Sequence, residues 1–165
     1  MKRLIIHWTA GRYYPTLFEK EYYHFLIDKD GVVYKGNYTP EDNLNCEDGR
    51  YAKHTGGGNT GSIGVALCAM SGFSSPGNVG MFPITKVQFE ACMKFCAYLC
   101  EEYSIPVIKE NVMTHYEFGK SHPNTTSAGK IDITYLPPYK YVGKDDVGNF
   151  IRSKIRWYKI KNLRG

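Results

Sequence analysis

With 165 residues and a formal net charge of +5, the chain is long enough to bury the core of one domain and too short for several. Hydrophobic residues at 42% and charged residues at 22% exclude a largely disordered polymer, while 14 Tyr and 17 Gly point to strands, turns and an aromatic-lined surface. No stretch approaches the roughly 20 apolar residues of a membrane span, and the excess of cations favours a polyanionic partner: nucleic acid, an anionic membrane surface or a cell-wall polymer.

The basic start Met1-Lys2-Arg3 is followed only by Leu4-Ile5-Ile6 before His7, too short a run for a signal-peptide core. The five cysteines, at 46, 68, 92, 96 and 100, have no compact disulfide spacing. Both features lead us to expect reduced thiols and synthesis in the cytoplasm. Residues 3–8 form a short run rich in β-branched side chains that ends in Thr9-Ala10-Gly11, so a buried strand is expected, with His7 near its C-terminal end. Site residues commonly occupy that end of a strand in mixed α/β domains, although a satisfied core histidine is an equal alternative. Residues 22–28 and 32–36, joined by Lys29-Asp30-Gly31, predict a β-hairpin. Residues 38–51 are turn-rich and read as a surface loop.

Residues 53–61 spell KHTGGGNTG, in which Gly56, Gly58 and Gly61 match G-x-G-x-x-G. A dinucleotide site is excluded by context, because these glycines precede the strand expected over 62–70 instead of following a strand and opening a helix. A Gly/Ser/Pro loop over 71–83 leads to Thr85, where Thr-x-x-Gln starts a helix that fades at 102–104. Cys92, Cys96 and Cys100 share one face of it and read as packed thiols, since a single helix cannot wrap a tetrahedral ion. Residues 111–115 suggest a brief strand and 119–129 a polar loop. A basic amphipathic helix is expected from about 145 to 159, with Val147, Phe150, Ile151, Ile155 and Tyr158 inward and two aspartates at its start. From Arg152 onward there are six Lys or Arg and no acid, which reads as a solvated basic face or as attraction to an anionic envelope.

His115, Lys130 and Asp132 lie close together along the chain. A hydrolytic zinc site needs three protein ligands and an open position for water, and His115 with Asp132 could supply two, leaving Lys130 as a catalytic cation. The competing account makes His115 a strand end, Asp132 a turn cap and Lys130 a solvated side chain.

The ordered motifs Ile5-Ile6-His7-Trp8-Thr9-Ala10-Gly11, Tyr23-His24-Phe25, His54-Thr55 with Ser62-Ile63-Gly64, His115-x-Glu117 and Lys130-x-Asp132 resemble the type 2 N-acetylmuramoyl-L-alanine amidases over about residues 3–136. That group includes short phage endolysins of the coliphage lysozyme type and the peptidoglycan recognition proteins. The resemblance implies a single α/β catalytic domain over 1–165, with a central mixed β-sheet flanked by helices. It implies one zinc ion held by His7, His115 and Asp132, with Tyr23 and Lys130 beside it to stabilise an oxyanion or, for Tyr23, to help move a proton. Glu117 then orients a ligand or the backbone from behind, and His54, Thr55 and Asn59 line the groove for muramyl peptide, with Trp8 shaping it.

Three departures stand out. Val65-Ala66-Leu67 occupies the place where some phage members carry a glutamate base, Trp8 replaces a second histidine, and Asp132 stands where coliphage and animal members have cysteine. The implied function is cleavage of the bond between N-acetylmuramic acid and L-alanine in peptidoglycan by a monomeric phage or prophage endolysin, with no nucleic-acid partner. A bacterial muropeptide-recycling amidase and a non-catalytic peptidoglycan-binding module are the alternatives.

Overall fold

The computed structural model describes residues 1–164. In chain order the elements are β1 (Arg3–Trp8), α1 (Leu17–Lys20), β2 (Phe25–Ile27), β3 (Val33–Lys35), β4 (Ser62–Leu67), α2 (Lys86–Glu102), β5 (Val112–Thr114), α3 (His115–Ser121) and α4 (Val147–Arg164). Short 3-10 turns fall at Pro40–Leu44, Pro137–Tyr139 and Lys144–Asp146. The strands form one sheet in the order β3-β2-β4-β1-β5. β1 runs parallel to both β4 and β5, and β2 runs parallel to β4; β3 is antiparallel to β2. The α/β class with a mixed sheet and flanking helices is the observed one.

Strand alternation divides β1 between two jobs. Leu4, Ile6 and Trp8 enter the main core with Ile63, Val65 and Leu67 of β4, Phe89, Met93 and the buried thiols Cys92, Cys96 and Cys100 of α2, and Val147, Ile151 and Ile155 of α4. Ile5 packs instead with Met113 and Phe118, and His7 shares its direction. On that second face β4 offers small residues opposite β1, Gly64 beside Ile5 and Ala66 beside His7. A Cβ at Gly64 would run into the His54 ring, so the glycine makes room for a buried imidazole.

Local chemistry sets several element boundaries. The hairpin turn closes on Asp28, whose Oδ1 accepts from the backbone N–H of Asp30 and Val32, at 2.9 and 3.0 Å, while Gly31 takes φ +88°. Thr85 and Gln88 form the expected capping box at the start of α2.

Three sequence expectations need correction. His115 does not end a strand: β5 stops at Thr114, and α3 occupies a segment expected to be strand end and loop. A second capping box explains it, since Thr114 Oγ1 accepts from Glu117 N–H and Glu117 Oε1 accepts from Thr114 N–H, both at 3.1 Å. The C-terminal α-helix starts at Val147 and runs on to Arg164; Asp145 and Asp146 lie in the 3-10 turn before it. Finally, the basic C-terminal segment is not a simple solvated face. Arg152 is only 2% exposed and its guanidinium donates to Val112 O, to Asn149 Oδ1 and to both carboxylate oxygens of Glu117 at 2.8–2.9 Å. Lys154 pairs with Glu90 at 3.1 Å, Arg156 donates to Val107 O at 3.2 Å and Lys159 faces Glu101 at 3.7 Å.

Candidate metal centre and its cleft

Two adjacent parallel strands deliver the histidines. His7 lies one residue before the end of β1, and His115 follows β5 directly as the first residue of α3. Asp132 reaches them from the segment after α3, which is tied back by Tyr116 N–H donating to Asp132 O at 2.7 Å. Residues 125 positions apart thus meet: His7 Nδ1 is 2.9 Å from Asp132 Oδ2, and His115 Nδ1 is 3.2 Å from Asp132 Oδ1. All three side chains are buried, and their ligand atoms lie within 4.8 Å of one another.

Two hydrogen-bond chains fix the proton positions, because each ends on a carbonyl that can only accept. Ser127 donates its hydroxyl hydrogen to Gly56 O at 2.7 Å, so its oxygen accepts from His115 Nε2 at 2.9 Å. The ring hydrogen of His115 is therefore on Nε2, and Nδ1 presents a lone pair. In the second chain His54 Nε2 donates to Ser62 O at 3.3 Å, which leaves His54 Nδ1 to accept from the Thr55 hydroxyl at 2.7 Å. His7 Nε2 lies 3.3 Å from Thr55 Oγ1 and 3.2 Å from His54 Nδ1, two acceptors, and so must donate. His7 Nδ1 is the free lone pair.

The electrostatics agree. Burial drives the His7 imidazole down to about 4 despite its bond to Asp132, so the ring is neutral at pH 7. Burial likewise holds His54 well below the ordinary histidine value. For Asp132 burial acts upward, but the two imidazoles outweigh it and keep the carboxyl below its usual value, as an anion. In these neutral tautomers two nitrogen lone pairs converge on a carboxylate, an arrangement that a bound cation would satisfy, and two imidazoles with one carboxylate is a donor set suited to catalytic zinc.

The triad opens into a cleft of about 690 Å³. Tyr23, Lys130, His54, Asn59 and Trp8 all line it. The Tyr23 ring centre is 5.2 Å from that of His7; burial, then the Asp132 charge, pushes its hydroxyl above the ordinary tyrosine value, so it keeps its proton and is a donor. Trp8 is largely sunk in the core and packs at a tilt against Phe73, so little of it is open to the cleft. Thr55 is not a groove residue: it is fully buried, with its N–H on Asn59 Oδ1 at 2.8 Å and its hydroxyl turned behind His7. Glu117 also stays out of the cleft lining near the triad and acts on the backbone, holding the N-terminus of α3, and so His115, through its capping box and Arg152.

Ser127 and Arg152 were not singled out from sequence. Ser127 sits three residues before Lys130 in a polar stretch without periodicity, and Arg152 looked like one more cation on a basic helix.

The N-acetylmuramoyl-L-alanine amidase family profile matches residues 1–130, ending two positions before Asp132. No curated protein sequence matches the chain significantly. Among solved structures, the N-acetylmuramoyl-L-alanine amidase LysC from Clostridium intestinale URNW superposes with a TM-score of 0.56 at 16% identity, over 94% of this chain and 85% of that one. The amidase AmiD from E. coli, solved with the substrate anhydro-N-acetylmuramic acid-L-Ala-D-gamma-Glu-L-Lys, gives 0.60 at 19% identity, over 93% of this chain and 57% of AmiD. PlyL gives 0.52 at 18%, over 93% and 82%. At these identities the superpositions establish a shared fold, and the profile establishes membership: the chain belongs to the N-acetylmuramoyl-L-alanine amidase family and is an enzyme of that kind.

Proposed function

We propose that the chain is a zinc-dependent amidase that hydrolyses the bond between N-acetylmuramic acid and the L-alanine of the stem peptide in peptidoglycan. The observation that carries this is the convergence of His7 Nδ1, His115 Nδ1 and the Asp132 carboxylate, with both imidazole hydrogens held on the far side. These three atoms would hold one zinc ion, which when bound lowers the pKa of its water toward neutrality and polarises the scissile carbonyl.

The surrounding residues supply the rest. Lys130 stands exposed at the cleft wall, two residues from Asp132, where its ammonium offsets the negative charge that develops on the carbonyl oxygen. Tyr23 keeps its phenolic proton and donates to the same oxygen. The β4 positions where some phage members carry a glutamate base are the buried apolar Val65, Ala66 and Leu67, so that carboxylate plays no part here. Asn59 and His54, in the cleft lining, would contact the muramyl group or the stem peptide. The role as a phage or prophage endolysin, made as a monomer in the host cytoplasm and acting on the wall after release, rests on the resemblance of the ordered motifs to the short phage enzymes.

The test is mass spectrometry of purified peptidoglycan incubated with the protein, with chelator and with zinc added back. Stem peptides bearing a new L-alanine amino terminus, lost on chelation and restored by zinc, support the proposal. Cleavage between sugars or within the stem would assign another bond, and intact peptidoglycan that retains the protein would make it a binding module.

A further inference from the structure

The cleft continues past His54. Tyr22, Tyr51 and Lys53 line both the main cleft and a second hollow of about 210 Å³, whose outer walls are Phe18, Glu21 and Tyr38. Four aromatic rings thus surround a space the size of one sugar ring. Phe18 is 70% exposed and held in place by the capped turn of α1, with its ring centre 4.9 Å from that of Tyr22. Lys53 lies over Tyr51 at 5.6 Å. Glu21 Oε1 accepts from Asn37 Nδ2 at 2.8 Å, which fixes the carboxylate and leaves its remaining lone pairs as acceptors for hydroxyl groups.

We propose that this hollow is a saccharide subsite, which binds the N-acetylated sugar next to the muramic acid on the glycan strand. The inference rests on the amidase proposal, since that substrate must send sugar and peptide in opposite directions from the metal-facing carbonyl. The aromatic hollow adjoins the cleft at Tyr22, Tyr51 and Lys53, and none of Trp8, Met70 and Phe73, which also line the cleft, borders it. A pyranose ring is amphiphilic: its C–H faces pack on aromatic rings, and its hydroxyl and acetamido groups point outward to donors. Tyr38 and Phe18 supply faces, while the Tyr22 and Tyr51 hydroxyls and the Lys53 ammonium supply polar contacts at the junction. A stem peptide would call for several cations to match its carboxylates, and this hollow offers one. The subsite makes the enzyme prefer strand-borne muramyl peptides to isolated ones.

The test compares a disaccharide substrate, N-acetylglucosaminyl-N-acetylmuramyl peptide, with the corresponding monosaccharide substrate in the wild type and in Phe18→Ala and Tyr38→Ala. The expected result is a rise of about tenfold in KM for the disaccharide in each variant, with kcat/KM for the monosaccharide changed less than about twofold. In parallel, the metal-free wild type is titrated with peptide-free chitobiose by NMR, and shifts are expected at Phe18, Tyr38 and Tyr51. Equal losses on both substrates, or losses that follow stem length in place of sugar number, would overturn the subsite. If the wild type cleaves neither substrate, the amidase proposal fails, and the chitobiose titration alone decides the subsite: no shift in the hollow rejects it.

Discussion

The most discriminating perturbation of the candidate metal centre is at a residue outside the proposed ligand set. In Ser127→Ala the buried His115 Nε2–H loses its acceptor and the part-buried Gly56 O loses its donor. His115 is then free to move its hydrogen to Nδ1, the atom that faces Asp132. Loss of such an orienting partner costs about 10- to 100-fold in metal affinity, or about 1.4 to 2.7 kcal/mol. The two groups left unpaired cost about 1–3 kcal/mol of stability, a fall in Tm of several degrees for a domain of this size. Zinc affinity is measured by competition with a chromophoric chelator, and the imidazole tautomer by long-range proton–nitrogen NMR on the metal-free protein. A folded Ser127→Ala protein with wild-type affinity and His115 still protonated on Nε2 would refute the argument that Ser127 sets the tautomer.

Alanine at His7, His115 or Asp132 should abolish zinc binding and wall hydrolysis together; full activity in Asp132→Ala would remove it from the ligand set. Tyr23→Phe and Lys130→Ala should keep zinc affinity and thermal stability while turnover falls about 100-fold or more, and wild-type kcat in either takes that residue out of oxyanion stabilisation. Arg152→Met leaves the Glu117 carboxylate and Val112 O without their buried partner and should cost about 3 kcal/mol, read by urea denaturation; a neutral result would make the ion pair dispensable. At Glu90 burial acts upward on the carboxyl, but hydrogen bonds from Tyr139, Lys154 and Tyr158 outweigh it and depress it in the folded state. Its contribution is therefore present above glutamate's ordinary 4.5 and fades as the pH falls through the lower folded value. Glu90→Gln should lower stability by about 1 kcal/mol at pH 7 and by less in acid, and a difference independent of pH would contradict that sign.

What could be read from the chain follows the strength of local signals. β1 was legible because the apolar run Leu4-Ile5-Ile6, with two β-branched residues, leads through His7 and Trp8 to a glycine-containing turn, and α2 because a capping box precedes a long apolar face. α3 was hidden: HYEFGKS is short, contains a glycine and lacks periodicity, and it is held by Arg152 from 35 residues away. Its one local signal was the Thr114-x-x-Glu117 spacing, a capping box like that of α2. At the site, the full set of residues came from the resemblance, whereas spacing alone offered His115, Lys130 and Asp132, and strand position raised His7. Thr55 shows why adjacency misleads. It follows His54 in a glycine loop that looks exposed, yet the Asn59 side chain caps its N–H and turns the hydroxyl inward. Nothing in the order of residues says which neighbour faces the substrate and which faces the ligand's back.

The Arg152–Glu117 pair also bears on where this catalytic unit can be cut. The family profile ends at residue 130, but the carboxylate that completes the triad comes at 132, and the cation that braces the histidine's helix comes at 152. Gly148 is part of the same joint, since a side chain there would collide with the Glu117 carboxylate. A transplantable catalytic module made from this protein must therefore run at least through Ile155, the last fully buried side chain among the described residues of α4. A fusion partner spliced in between Asp132 and Arg152 would remove the strut behind His115 while leaving every family motif in place.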